Sequence, residues 1–276
     1  MISNSGDFAN EGDSLGEFRV MKLLVSALCL GEANHALSGG KGEMMQSLAG
    51  CVLVMVGIGL LFGVYRGCRW CRLLSWMSWL GLPLVAGYFL WSAFESWTSN
   101  PENPFKQGIL LNHAVRYVGP VVLGVWMWRL GRKMEVSLPD KWVWGLRFAA
   151  AATFAGHGFN ALRGSPAHVE LIQFTYINLL GREISLELAK QVLAYIGTMD
   201  VVLALLLVLR RWRWVAMWMA VWGLVTAGSR LSAYGIGEGW SLTAIRLGNG
   251  GIPLVIWWLW QRKLVFPDGE TIAGKD

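Results

Sequence analysis

Seven stretches of this chain are too apolar and too long to fold as the one-sided helices of a water-soluble core. They cover residues 49–65, 73–94, 108–128, 142–162, 188–209, 214–234 and 242–260. A helix crosses the hydrocarbon of a bilayer in about 20 residues, and these runs are apolar on every face, unlike an amphipathic surface helix. Pro83, Pro120 and Pro253 lie inside them, which membrane helices tolerate. The alternating segments of about 10 residues that mark an outer-membrane barrel are absent. The composition agrees: 54% of residues are hydrophobic and 15% charged, against about 25% charged in a soluble domain. Disorder is excluded on the same grounds.

Residues 20–37 form an eighth, weaker run carrying Lys22, Glu32 and His35. Two readings compete. One is a short functional span. The other is a signal peptide starting at Met21, with Lys22 and the apolar residues 23–30 as its charged start and centre. The stretch before it carries Asp7, Glu11, Asp13 and Glu17, a poor beginning for such a signal. The repeat described below favours a span.

The net charge of +6 is a membrane signature rather than a nucleic-acid one. Fifteen Lys and Arg fall on one side of the eight spans, including Arg66, Arg69, Arg72, Arg129, Arg132, Arg210, Arg211 and Arg213, and five fall on the other. The positive-inside rule then places both termini in the cytoplasm and the chain in the inner membrane. Trp70, Trp97, Trp142, Trp212, Trp214 and Trp240 lie near span ends, as interfacial belts do.

The two halves match in order. Lys22 and the segment from Gly31 to Leu37 match Arg147 and the segment from Gly156 to Leu162; Trp76-Met77 with Gly81-Leu82 match Trp218-Met219 with Gly223-Leu224; Ala114-Val115-Arg116 match Ala244-Ile245-Arg246. An even number of spans per copy makes the copies parallel. The expected architecture is therefore all-α and integral to the membrane, with eight transmembrane helices in two tandem parallel four-helix units. A polar tail covers 1–19, the first unit 20–131, the second 142–263, and a C-terminal tail 264–276.

Ionisable groups inside a bilayer are costly and mark function or pairing. The main candidate pocket comprises His157, Asn160, Asp200, Arg230, Arg246 and Asn249. It is expected to open outward, with Asp200 held ionised by Arg230 or Arg246. The counterpart of Asp200 in the first copy is Leu60, so the fold does not itself demand an acid there. A second cluster comprises Glu32, His35, His113 and Arg116. Acid–base pinning of helices is the competing reading for the arginines. Arg147 and Lys22 sit near span ends and are expected to snorkel. Ser165-Pro166 starts a short helix through His168 to Leu180 in the longest outer loop, capped by Ser165, which serves as a lid or an interfacial anchor. Cys68 and Cys71 form a CxxC pair, too few ligands for zinc and outside any strand–helix redox setting. No metal site is expected. Gly59 and Gly63 make a small-residue packing step. Two histidines among His35, His113 and His157 are the ligands a haem b would use, although a second histidine set is missing.

The second half resembles the DoxX-like family of four-helix membrane proteins. The resemblance covers residues 142–263 and rests on Arg147, Phe154 and Gly158, then Gly197, Asp200 and Leu205-Leu206-Leu207. Asp200 stands where that family more often has Glu, and the duplication is a departure. The resemblance implies a quinone- or sulfur-linked redox role. The leading reading is a redox-associated membrane protein handling a quinone or a small anion, with Asp200 as the proton or charge switch, Arg230 and Arg246 as the anion contact and His157 and Asn160 as hydrogen-bond partners. Quinone stands ahead of haem b as cofactor, and the partners expected are the lipid bilayer with a second copy or a membrane redox partner. The rivals are a small-solute or proton-coupled transporter and a non-catalytic membrane scaffold.

Overall fold

The computed structural model describes residues 6–38, 44–62, 69–132 and 137–265, all helical or in the turns between helices. Gly63, Arg66, Cys68 and Lys133, and the tails before residue 6 and after residue 265, lie outside the described residues, and so does the side chain of Cys71. The elements are α1 (Gly6–Ser38), α2 (Met44–Phe62), α3 (Arg69–Thr98), α4 (Ile109–Asn112), α5 (Ala114–Gly131), α6 (Asp140–Leu162), α7 (Pro166–Leu180), α8 (Leu186–Leu209) and α9 (Arg213–Val265).

Each apolar run lies on a helix, with three differences from expectation. Helix α1 begins at Gly6, inside the stretch read as a polar tail, and runs unbroken to Ser38; Glu17 is buried along it. The run at 108–128 is two helices, because His113 leaves helical geometry (φ −105°, ψ 7°) between α4 and α5. Lastly, α9 is a hairpin. Gly235 adopts φ 72° and ψ 177°, a conformation open only to glycine, and the arms at 213–234 and 236–265 fold back on each other. Thr243 Oγ1 donates to the Ala227 carbonyl at 3.1 Å, and Arg213 Nη1 to Gln261 Oε1 at 3.3 Å. A Cβ on Gly223 would stand 2.6 Å from the Gly250 nitrogen, so only glycine lets the two backbones meet there.

Among the described residues, three helices are long and apolar enough to cross a membrane by length and composition: Gly16–Leu37, Met77–Thr98 and Leu186–Leu209; Gln46–Phe62 is a shorter apolar helix. Their outer faces remain apolar. Leu84 and Trp91 on α3 are each 64% exposed, and Leu209 on α8 is 72% exposed. Water-soluble monomers rarely present apolar patches of this extent.

The core is built around α1, α5, α6 and the second arm of α9, through Met21, Leu123, Leu146 and Ile256 among others. Helix α1 packs chiefly on α2 and α9, and α6 chiefly on α8. The α6–α8 contact is backbone to backbone: a Cβ on Gly158 would lie 2.8 Å from the Gly197 oxygen, and one on Gly197 would lie 2.7 Å from the Gly158 oxygen.

Arg147 locks the other end of this pair. It does not snorkel but is buried. Its Nε donates to the Leu207 carbonyl, and its Nη2 to the Val208 carbonyl at 2.9 Å. These belong to the last turn of α8, whose carbonyls have no partner within the helix and carry its negative dipole end. Trp144 and Trp260 flank the guanidinium at 4.1 and 5.3 Å, which supplies cation–π attraction. Lys22 is likewise buried rather than snorkelling, with Nζ 5.9 Å from the Phe18 ring centre.

Gly197→Val should force α6 and α8 apart and lower stability by about 1–3 kcal/mol. Gly145→Ala, where an added Cβ meets nothing within 4 Å, should hold or raise it by up to ~1 kcal/mol. Unfolding of both variants in mild detergent, followed by tryptophan fluorescence, checks the contrast.

Candidate functional site

The α6–α8 contact fixes the site. Asp200 lies one turn beyond Gly197, and a Cβ on Gly158 would stand 3.1 Å from the Asp200 Cβ. The Asp200 carboxylate is thereby held beside α6 and faces the first arm of α9. Its partner is Trp222, whose Nε1 donates to Oδ1 at 3.0 Å.

That carboxylate lines a cavity of about 360 Å³, within the range of small-molecule sites. Helix α6 contributes Phe154 and His157, and α8 contributes Leu193, Ile196 and Asp200. From α9 come Trp222, Thr226 and Arg230 on the first arm and Asn249 on the second. Helix α7 closes the remaining side with His168, Leu171, Thr175 and Tyr176.

Helix α7 is the helix expected from Ser165-Pro166, and it covers the cavity. It ends at Gly181, which takes the left-handed φ of 66°. Ser165 stands at its N-cap but makes no side-chain cap bond; instead its carbonyl accepts the His168 and Val169 amides at 3.0 and 3.1 Å. The other end is tied to α9. Asn178 Nδ2 donates to the Ser232 and Ala233 carbonyls at 2.9 and 3.0 Å. Those carbonyls come free because the arm stops at Gly235, so the break that turns the hairpin also supplies the anchor for α7.

Of the six residues expected in the main pocket, four line the cavity: His157, Asp200, Arg230 and Asn249. Asn160 does not; its Nδ2 donates to the Phe105 carbonyl at 3.2 Å and ties α6 to the outer loop. Arg246 also lies off the cavity lining. The expected ion pair of Asp200 with Arg230 or Arg246 is not formed among the described residues. Both arginines turn back onto their own helix instead. Arg230 Nη1 donates to the Thr226 carbonyl, and Arg246 Nη1 to the Leu242 carbonyl at 3.0 Å. In the second cluster, Glu32 accepts the Tyr88 hydroxyl at 3.3 Å, and His113 and Arg116 lie at the start of α5, but His35 is on the exposed face of α1. Of the three histidines considered for haem, His35 thus stands apart.

The sequence reading did not place His168, Trp222, Thr175, Tyr176 and Thr226 in the site. His168 is the most consequential. Its ring meets that of His157 edge to face, with centroids 5.9 Å apart. His157 Nε2, His168 Nδ1 and Asn249 Oδ1 are all enclosed and have no hydrogen-bond partner. Buried polar atoms are nearly always paired, and these three, unpaired among the described residues, all belong to residues that line the one cavity. Among the described residues, no three His, Cys, Asp or Glu side chains are grouped to hold a metal ion.

No family model matches the sequence, and no curated protein or solved structure matches it.

Burial, with the charges of Arg230 and Arg246 adding to it, lowers the His168 pKa from 6.5 to about 4. The imidazole is neutral in the folded protein, while the unfolded chain takes up its proton as pH falls through 6.5. Stability contributed by neutral His168 is thus complete above pH 6.5 and is lost progressively down to about pH 4. Thermal midpoints of the wild type should fall more steeply across that window than those of His168→Gln; parallel pH profiles would contradict this.

Proposed function

We propose that the chain is an eight-span protein of the cytoplasmic membrane, with both termini inside, whose second half binds a lipophilic molecule carrying a polar, hydrogen-bonding head. A quinone is the first candidate. The observation that carries this is the contrast within the cavity lining. Its enclosed polar groups are Asp200, bonded to Trp222, and the unpaired atoms of His157, His168 and Asn249. Its outer rim carries Leu179, Leu180 and Val225, which are 65, 59 and 56% exposed. A largely apolar cavity with an apolar rim and a few enclosed polar groups admits an amphiphile from the lipid and disfavours a hydrophilic solute, which sets the transporter reading second. The unpaired polar atoms set the scaffold reading third, because helix pinning would use them.

Several features support the larger architecture. The apolar exposed faces of α3 and α8 suit lipid. Gly31 and Gly156, matched in the repeat, make matching contacts: a Cβ on Gly31 would stand 2.8 Å from the Ser241 oxygen, and Gly156 packs on Asn112. Each glycine thus meets the other half just ahead of the paired Arg246 and Arg116. This favours two parallel four-helix units that interlock. The DoxX-like resemblance gains physical sense as well, since Gly158 and Gly197 are the close contact and Arg147 the clamp.

A quinone supplies two-electron, two-proton chemistry when bound. The residues that would hold it are His157, His168, Asn249 and Trp222, and Asp200 is the group placed to exchange a proton. Electrons would come from a membrane redox partner.

The test is equilibrium binding of a short-chain benzoquinone to purified protein in mild detergent. One saturable site is expected, about tenfold weaker in Asp200→Asn and lost in Leu171→Trp, which fills the cavity; tenfold corresponds to about 1.4 kcal/mol. Absence of saturable binding, or equal binding by Leu171→Trp, would refute the proposal. Proton-coupled solute uptake in vesicles that Asp200→Asn abolishes, without quinone binding, would put the transporter reading in its place.

A further inference from the structure

Arg116 is 9% exposed at the start of α5. Among the described residues it makes no hydrogen bond and no ion pair, and its Nε is fully enclosed. Arg246 on the second arm of α9 spends Nη1 on its own helix, and its Nε is also enclosed and unpaired. Packing brings the two together. Gly248, two residues past Arg246, approaches Val115 closely enough that an added Cβ would lie 3.7 Å from its Cγ2. On the third side, Gly31 closes on Ser241, and Glu32 follows it in α1.

The charges of Arg116, Arg246 and Glu32 act on one another there, and Arg230 reaches Arg116 as well. His113 stands beside the arginines. One carboxylate, already taken by the Tyr88 hydroxyl, thus faces the two guanidinium groups of Arg116 and Arg246. A buried positive charge without a partner is strongly unfavourable, and the planar guanidinium fork matches an oxyanion with two parallel hydrogen bonds.

We propose that Arg116 and Arg246 bind a small oxyanion at the seam of α1, α5 and α9, a site separate from the cavity under α7. Neither Arg116 nor Arg246 lines that cavity. Because Arg116 and Arg246 are matched positions of the two halves, the anion sits between equivalent arginines and links them.

The experiment titrates purified protein with sodium sulfate, sodium formate and sodium chloride at matched ionic strength. The thermal midpoint and calorimetric heat are read. A saturable rise with sulfate or formate, beyond that with chloride, is expected. It should disappear in Arg116→Gln and weaken at least tenfold in Arg246→Lys, which keeps the charge but loses the fork. Leu171→Trp should retain it, which separates this site from quinone binding. Equal, non-saturating responses to all three salts would overturn the proposal, as would saturation retained in Arg116→Gln or, should that variant not fold, undiminished in Arg246→Lys.

Discussion

The backbone contact between α6 and α8 at Gly158 and Gly197 places everything the cavity uses. Without a Cβ on either residue, the two helices meet through their main chains. The Arg147 guanidinium holds the far end by occupying the last carbonyls of α8. Between these two fastenings, Asp200 has no freedom to turn away from the first arm of α9, and the Trp222 indole receives it. The α9 hairpin is set by a second glycine approach, Gly223 to Gly250, and by the turn at Gly235. The carbonyls released at that turn fasten α7 over the chamber.

Polar groups in this protein divide by whether the chain itself satisfies them. Arg147, Asn160 and Asn178 are answered by backbone carbonyls at helix ends and in the outer loop, and their work is structural. His157, His168, Asn249 and Arg116 keep enclosed atoms that nothing in the described chain answers. Asn112, Arg129 and Trp257 also keep enclosed atoms without a partner among the described residues, so what distinguishes His157, His168 and Asn249 is their grouping at one cavity. His157, His168 and Asn249 line one cavity and Arg116 stands at another place, and the two proposed sites rest on that separation.

The helices themselves were legible, because runs of about 20 apolar residues leave the backbone no other way to satisfy its hydrogen bonds in lipid. So was α7, from Ser165-Pro166 at its start, although the Ser165 side chain makes no cap bond. The hairpin turn and the break at His113 were less so, since neither residue type alone forces a stop. His157, Asp200, Arg230 and Asn249 were recognisable by their cost in an apolar segment. The pairing of Asp200 was not, because it depends on rotamers. Even so, Thr226 and Leu242 lie four residues before Arg230 and Arg246, the spacing at which a long side chain can return to its own helix. Trp222 carried no signal, as tryptophan is common throughout these segments. His168 was overlooked because it lies outside the spans, where an ionisable residue costs nothing until the fold encloses it. Arg147 reads as a snorkelling end residue until α8 is seen to end against it.

Photo-crosslinking with an azido-quinone in lipid nanodiscs, followed by peptide mapping, addresses the central claim most directly. The account predicts that label concentrates on α7 between His168 and Leu180 and on the first arm of α9 between Trp222 and Arg230, and that unmodified quinone competes it away. Label spread over the outer faces of α3 and α8, or label that excess quinone does not displace, would contradict it.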